Sequence, residues 1–191
     1  FEVSYLASVT IPQGVTRIGN RTFRNCTKLK EIVLPPSIVS IGEDAFAGSG
    51  LTSVVIPESV KTIGKQAFFC CNHLKEIVLP PGVVSIEKEV FLCSGLTSVV
   101  IPEGVKTIGK YAFNACRSLK KIVLSPGIET IGDGAFEGSG LTSVVIPDGV
   151  KSIGKYAFKN CRNLKEIVLP PGVSIGEGAF EGCPGKPEVV E

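Results

Sequence analysis

Apolar and polar positions along this chain follow one pattern, repeated: L-x-x-[VI]-x-[IL]-P-x-x-[VI]-x-x-I-G-x-x-A-F. Cutting before each leading Leu gives eight units, starting at Leu6, Leu29, Leu51, Leu74, Leu96, Leu119, Leu141 and Leu164. Units of 23 and 22 residues alternate, so LTSVVIPEGVKTIGKYAF at Leu96 and LTSVVIPDGVKSIGKYAF at Leu141 stand 45 residues apart. In LTSVVIP from Leu51, Val54 and Ile56 face one way while Ser53 and Val55 face the other. This period-two alternation of β-branched residues predicts a short strand. Pro57 ends it, because Pro has no N–H to give to a ladder. The small residue two positions later (Ser59, Gly104, Gly149) suits a turn. VKTIG reads as a second short extended segment, and KYAFKNC has the length of about one helical turn.

One such unit cannot bury its own apolar face, but stacked units can, each Leu, Val, Ile and Phe lying above its counterpart. The fold class is therefore an α/β-type repeat solenoid of eight coils, with a parallel sheet and short extended or one-turn helical segments elsewhere. Phe23, Phe46, Phe68, Phe91, Phe113, Phe136, Phe158 and Phe180 form a spine behind the sheet. Eight coils at about 4.8 Å each make a rod or arc roughly 35–40 Å long. The solenoid covers residues 6–183. Phe1 stands before Leu6 as Phe46 stands before Leu51, so residues 1–5 read as the tail of an upstream repeat. Residues 184–191, with prolines and charges, read as a C-terminal tail.

The phrase IPxGVxxIGxxAFxxC resembles the BspA-like, treponemal-type leucine-rich repeats of bacterial surface proteins, and the resemblance covers residues 6–183. It implies a right-handed solenoid with its parallel sheet on the concave side. It also implies a secreted or cell-surface location and adhesion to host extracellular-matrix proteins or to other microbes. Two departures matter. The Asn that follows the strand in other leucine-rich repeats is replaced by Gly or Ser, so no Asn ladder caps the backbone there. In unit four, IEKEVF, Glu87 stands in place of Gly and Val90 in place of Ala, which predicts a local widening or bend.

Strand positions two, three and five point outward. Position five is a column of β-branched residues that includes Val55, Val78, Val100, Val123 and Val145; Lys75 and Lys120 fall at position two and Lys121 at position three. An exposed apolar stripe flanked by charge is a ligand surface on one reading. On the other, Val simply suits a strand and covers its neighbours in the column. Opposite charges at the far edge, such as Lys110 before Asp133, read as solvated pairs that keep coils in register.

Composition removes several function classes. Of 191 residues, 43% are hydrophobic, enough for a continuous core, and 20 basic against 18 acidic residues leave no nucleic-acid footprint. No apolar run approaches the length of a membrane span. There is a single His, His73, at a unit boundary, and carboxylates recur once per coil instead of pairing uniquely, so no catalytic constellation, metal or cofactor is indicated. Cys26, Cys71, Cys116 and Cys161 share one repeat position with Ser49, Ser94 and Ser139 between them. Two coils apart, about 10 Å, they cannot bridge and read as buried small residues. Cys70 and Cys93 stand one position earlier in adjacent coils, within disulfide range. Sequons at Asn20 and Asn25 matter only in a glycosylating pathway. The expectation is a non-enzymatic, monomeric module that docks a protein partner (a matrix protein or another microbial surface protein) on its sheet. A structural spacer without a ligand is the alternative.

Overall fold

The computed structural model describes residues 5–189; residues 1–4, on which most of the upstream-repeat reading falls, lie outside the described residues. Eight coils stack in register as a parallel β-solenoid. Each places a long strand on one face, from Ser8–Thr10 in coil 1 through Glu31–Val33, Ser53–Val55, Glu76–Val78, Ser98–Val100, Lys121–Val123 and Ser143–Val145 to Glu166–Leu169 in coil 8. A two-residue strand follows in every coil, such as Thr62–Ile63 and Ser152–Ile153. Pairing joins equivalent residues, Val99 with Ile122 and Ile108 with Ile131. Pro187–Val189 adds a further parallel strand beside Glu166–Leu169.

The alternation in the sequence sets this arrangement. Leu51, Val54 and Ile56 point inward and are at most 4% exposed. After each strand a tight turn closes on the proline: the Val60 N–H donates to the Pro57 carbonyl at 3.0 Å, and Val105 and Val150 repeat the bond to Pro102 and Pro147. Behind the sheet the eight phenylalanines stack face over face, ring centroids 5.0–5.7 Å apart and planes within 18°. Burying each ring contributes roughly 1.5–3 kcal/mol, so this spine is a large share of the core.

The helical turn expected over KYAFKNC is not formed. In Gly42–Ser49 the N–H groups of Ala45, Ala47 and Ser49 bond back three residues. Those of Asp44, Phe46 and Gly48 instead reach the Lys65, Ala67 and Phe69 carbonyls of the next coil at 2.7–3.1 Å. A helix would use these N–H groups internally; here every second one links coils. The alternation needs left-handed backbone before the Ala and after the Phe, seen at Asp44 (φ 55°), Gln66 (φ 59°) and Cys70 (φ 52°). Such a conformation costs a non-glycine residue roughly 1–2 kcal/mol, which the inter-coil bonds offset.

The Ile-Gly pair shows where coils approach most closely. The Gly42, Gly64, Gly109, Gly132, Gly154 and Gly176 N–H groups donate to an isoleucine carbonyl of the preceding coil at 2.7–2.9 Å. A Cβ at Gly154 would lie 2.5 Å from the Asp133 nitrogen and 2.6 Å from the Gly132 carbonyl carbon. Coil 4 has Glu87 at this place, and there the short-strand ladder stops, coils 1–3 on one side and 4–8 on the other. The departure read in the sequence is thus a break in one ladder. Gly154→Ala is expected to cost roughly 1–3 kcal/mol and to lower Tm by several degrees in a thermal melt followed by circular dichroism. Glu87→Ala, at the equivalent place, should leave Tm nearly unchanged; equal losses in both would contradict this account.

Candidate binding face

The long strands pair two by two: coil 1 with 2, 3 with 4, 5 with 6, and 7 with 8. Between these pairs lie seams. At each seam a threonine reaches across, both its N–H and its hydroxyl donating to one lysine carbonyl. Thr52 meets Lys30 at 3.3 and 3.4 Å, Thr97 meets Lys75 at 3.2 and 3.3 Å, and Thr142 meets Lys120 at 3.3 Å for both. The Lys/Thr alternation at position two is therefore a device for bridging seams, not only a row of charge.

Two seams open into grooves. The groove between coils 2 and 3, of about 760 Å³, is walled by Val33, Leu34, Pro36, Val55 and Pro57. Its counterpart between coils 4 and 5, of about 660 Å³, is walled by Val78, Leu79, Pro81, Val100 and Pro102. Glu31 and Glu58 line the first and Glu76 and Glu103 the second, with no Lys or Arg in either lining. The Val column stands open to solvent: Val55, Val78, Val100 and Val145 are 64–74% exposed and Val123 44%. These valines do not cover one another. Lys75, Lys120 and Lys121 are exposed as well, without an ion-pair partner among the described residues. Lys121 takes the place that Glu31 and Glu76 hold in coils 2 and 4, so this strand position is acidic at both grooves and basic in coil 6. The sequence reading found the Val column but missed the proline walls and Glu58 and Glu103. Their signal was present in the Pro and acidic residues recurring after each strand.

Along the far edge several charges pair. Lys65 meets Glu43 at 3.1 Å, Lys110 meets Asp133 at 3.5 Å and Lys155 meets Glu177 at 3.3 Å, each across adjacent coils. All six side chains are at least one-third exposed, so each pair contributes only about 0–1 kcal/mol. The corner that precedes each leading Leu is one residue longer in coils 5 and 7 than in coil 6. A polar cleft therefore forms there, lined by Asn114, Arg117, Asn160 and Arg162 and floored by Gly138 to Gly140. His73 is an exposed residue of the equivalent corner in coil 3. Among the described residues no three His, Cys, Asp or Glu side chains gather to hold a metal, and no helix is long and apolar enough to cross a membrane.

A family model for the BspA type leucine-rich repeat region, in 6 copies, matches residues 1–105 and 85–188. The chain belongs to this family. Similar solved structures are bacterial leucine-rich repeat proteins. One from Bacteroides ovatus is 34% identical, with a TM-score of 0.88 over 94% of this chain and 48% of its own. A leucine-rich cell surface protein of Faecalibacterium prausnitzii is 32% identical, with a TM-score of 0.62 over 97% of this chain and 60% of its own. The leucine-rich repeat protein of T. pallidum is 32% identical, with a TM-score of 0.68 over 92% of this chain and 76% of its own. The chain thus spans about half the length of the first of these and about three-fifths of the second. No curated protein matches the chain.

Within the BspA-type repeat, the position three residues after the Phe carries the Cys/Ser ladder. The Cys71, Cys116 and Cys161 thiols donate to the Phe46, Phe91 and Phe136 carbonyls at 3.0–3.1 Å, with Ser49, Ser94 and Ser139 hydroxyls beside them at 3.3–3.5 Å. Burial pushes the Cys71 thiol up to about 11 and Cys116 to about 12, against which the serine hydroxyls pull down. The alternation fails once: Cys183 stands in coil 8 where Ser would follow Cys161, so two thiols neighbour each other in adjacent coils, and the Cys183 thiol donates to the Phe158 carbonyl at 3.1 Å. The two neighbouring thiols shift each other, Cys161 up and Cys183, the less buried of the two, down. A thiol shifted to 11 or 12 is only about one part in a thousand to ten thousand thiolate at pH 8, and the thiolate is the nucleophile. Alkylation of the native chain at pH 8, mapped by mass spectrometry, is expected to modify Cys183 well before Cys71 or Cys116. Comparable rates at all three would overturn this ordering.

Proposed function

We propose that the chain is a non-enzymatic protein-binding module of a secreted or surface-displayed bacterial protein, and that it docks its partner on the sheet face, the concave side of a leucine-rich repeat coil. The observation that carries this reading is the open Val column with its two apolar grooves. A solvent-facing apolar surface of this extent has an unfavourable hydration cost that binding removes. Val55, Val78, Val100, Val123 and Val145 form the centre of the contact, and Lys75 in coil 4 with Lys120 and Lys121 in coil 6 steer acidic parts of the partner. Affinity comes from many modest contacts along the solenoid, as an extended repeat surface provides. The family and the cell-surface relative support a location outside the cell, and the partner proposed there is an extracellular-matrix protein of a host or a surface protein of another microbe.

The test is binding of the monomeric chain to a panel of matrix proteins by surface plasmon resonance at low and high salt, beside the double variant Val100→Lys, Val145→Lys. Saturable binding weakened at least tenfold in the variant is the expected result, and its fall with salt would report the lysines. Binding unchanged in a folded variant would remove the site from this face. Absence of binding to the whole panel would favour a spacer that holds other domains apart.

A further inference from the structure

We propose that the segment recognised on this face is an extended polyproline II peptide with an apolar side chain at every third residue and basic side chains between. This rests on the protein-binding reading above and narrows it. The two grooves are related by one 45-residue period, that is, by two coils. At the ~4.8 Å spacing of parallel strands, equivalent points in them lie about 9.6 Å apart along the solenoid axis. A polyproline II helix advances about 9.3 Å per three-residue turn, so side chains three apart drop into successive grooves without bending either partner. Same-face residues of a β-strand recur at about 6.7 Å, out of step with the grooves. Seven residues of an α-helix advance about 10.5 Å, a poorer fit. Polyproline II also leaves its amides to solvent and docks through its side chains, so it needs no strand edge to pair with.

The charge inference comes from the groove rims. Glu31, Glu58, Glu76 and Glu103 face the two grooves, and none has an ion-pair partner among the described residues. A peptide with Lys or Arg beside its apolar anchors meets these carboxylates at both grooves, while acidic residues would be repelled there.

Fluorescence polarisation with labelled (Val-Pro-Lys)5 tests this. Comparators are a peptide of the same composition with its valines at alternating spacings of two and four, a Val-Pro-Glu version, and a helical peptide with valines seven apart. The in-register basic peptide is expected to bind at least tenfold tighter than every comparator. It should also lose at least tenfold in Val55→Ser, Val100→Ser and in Glu58→Lys, Glu103→Lys chains that keep their circular dichroism. Equal binding by the shuffled peptide, or tightest binding by the helical one, overturns the polyproline assignment. If no peptide binds while a matrix protein does so through Val100 and Val145, the face reading stands and the peptide class falls. If the valine variants alter neither, both fall.

A second inference comes from the thiols and does not depend on the first. We infer that Cys161 with Cys183, and Cys70 with Cys93, are oxidisable pairs that clasp adjacent coils. In each pair the residues hold equivalent positions in neighbouring coils, and parallel-strand spacing of ~4.8 Å falls inside the Cα range of a disulfide. Backbone bonds fix the pairs in place: Cys70 N–H to Leu92 carbonyl at 2.8 Å and Cys93 N–H to Asn114 carbonyl at 2.8 Å, Asn160 N–H to Glu181 carbonyl at 2.7 Å. All four thiols are free in the structure. With oxidised glutathione, the Cys183 thiolate attacks one sulfur and releases glutathione thiolate. Cys161 then loses its proton and displaces the second, leaving one protein disulfide and two reduced glutathiones; the Cys70–Cys93 pair follows the same course. Intact-mass and peptide-mapping spectra after oxidation are expected to show the loss of two hydrogens per pair and the two named cross-links. Cys183→Ser and Cys93→Ser should each abolish one of them. Stable glutathione adducts without cross-links overturn the proposal, and a single cross-link overturns it for the other pair.

Discussion

No coil of this solenoid can satisfy its own backbone. A closed turn of 22 or 23 residues leaves strand and corner N–H groups pointing along the axis, and a buried unpaired amide costs about 1–3 kcal/mol. The next coil must therefore present a carbonyl at each of those points. That requirement dictates nearly everything else: identical residues stacked above one another, phenylalanines face to face, left-handed residues at fixed corners, and glycine wherever the backbones come too close for a Cβ. Side-chain packing fills the interior, but the axial hydrogen bonds decide its register.

The natural unit is two coils, not one. The long strands form ladders in pairs, threonines bridge the seams, and the buried ladder alternates Cys with Ser. Corner loops alternate in length in the same period. At the corners the alternation lets a short loop close onto a longer one. The Gly50 N–H, in a short corner, reaches the Cys26 carbonyl of the longer corner before it at 3.1 Å, where the Thr27 carbonyl leaves no space for a Cβ.

Much of this was legible in the residues. Period-two alternation located the strands, the Phe column located the spine, and Glu87 marked the coil at which one ladder breaks. The corners were misread because seven residues with a buried Ala-Phe suit a helical turn locally; only the neighbouring coil, which accepts every second N–H, makes the turn ribbon preferable. Grooves were invisible for a similar reason. They arise from seams between strand pairs, and pairing is a relation between coils that no single repeat encodes. The Val column was legible because exposure alternates within one strand. The acids and prolines beside it belong to the following turn, which folds back onto the face. Cys183 was overlooked because the eye follows a 45-residue period, and its significance lies in departing from it.

Repetition that secures a fold also constrains what the surface can recognise. A stack with a two-coil period offers its partner the same apolar groove and the same carboxylates at fixed intervals, so a partner with its own matching period gains once per groove. Each added contact is then intramolecular, and weak contacts sum to strong ones when the two spacings agree. A partner without that period engages one groove and gains nothing from the next. Departures from the repeat consequently carry information that copies do not. Lys121, where an acidic residue stands in coils 2 and 4, reverses the charge at that position in coil 6. In the docking proposed above it would oppose a basic ligand at coil 6, turning an indefinite track into a site with an end.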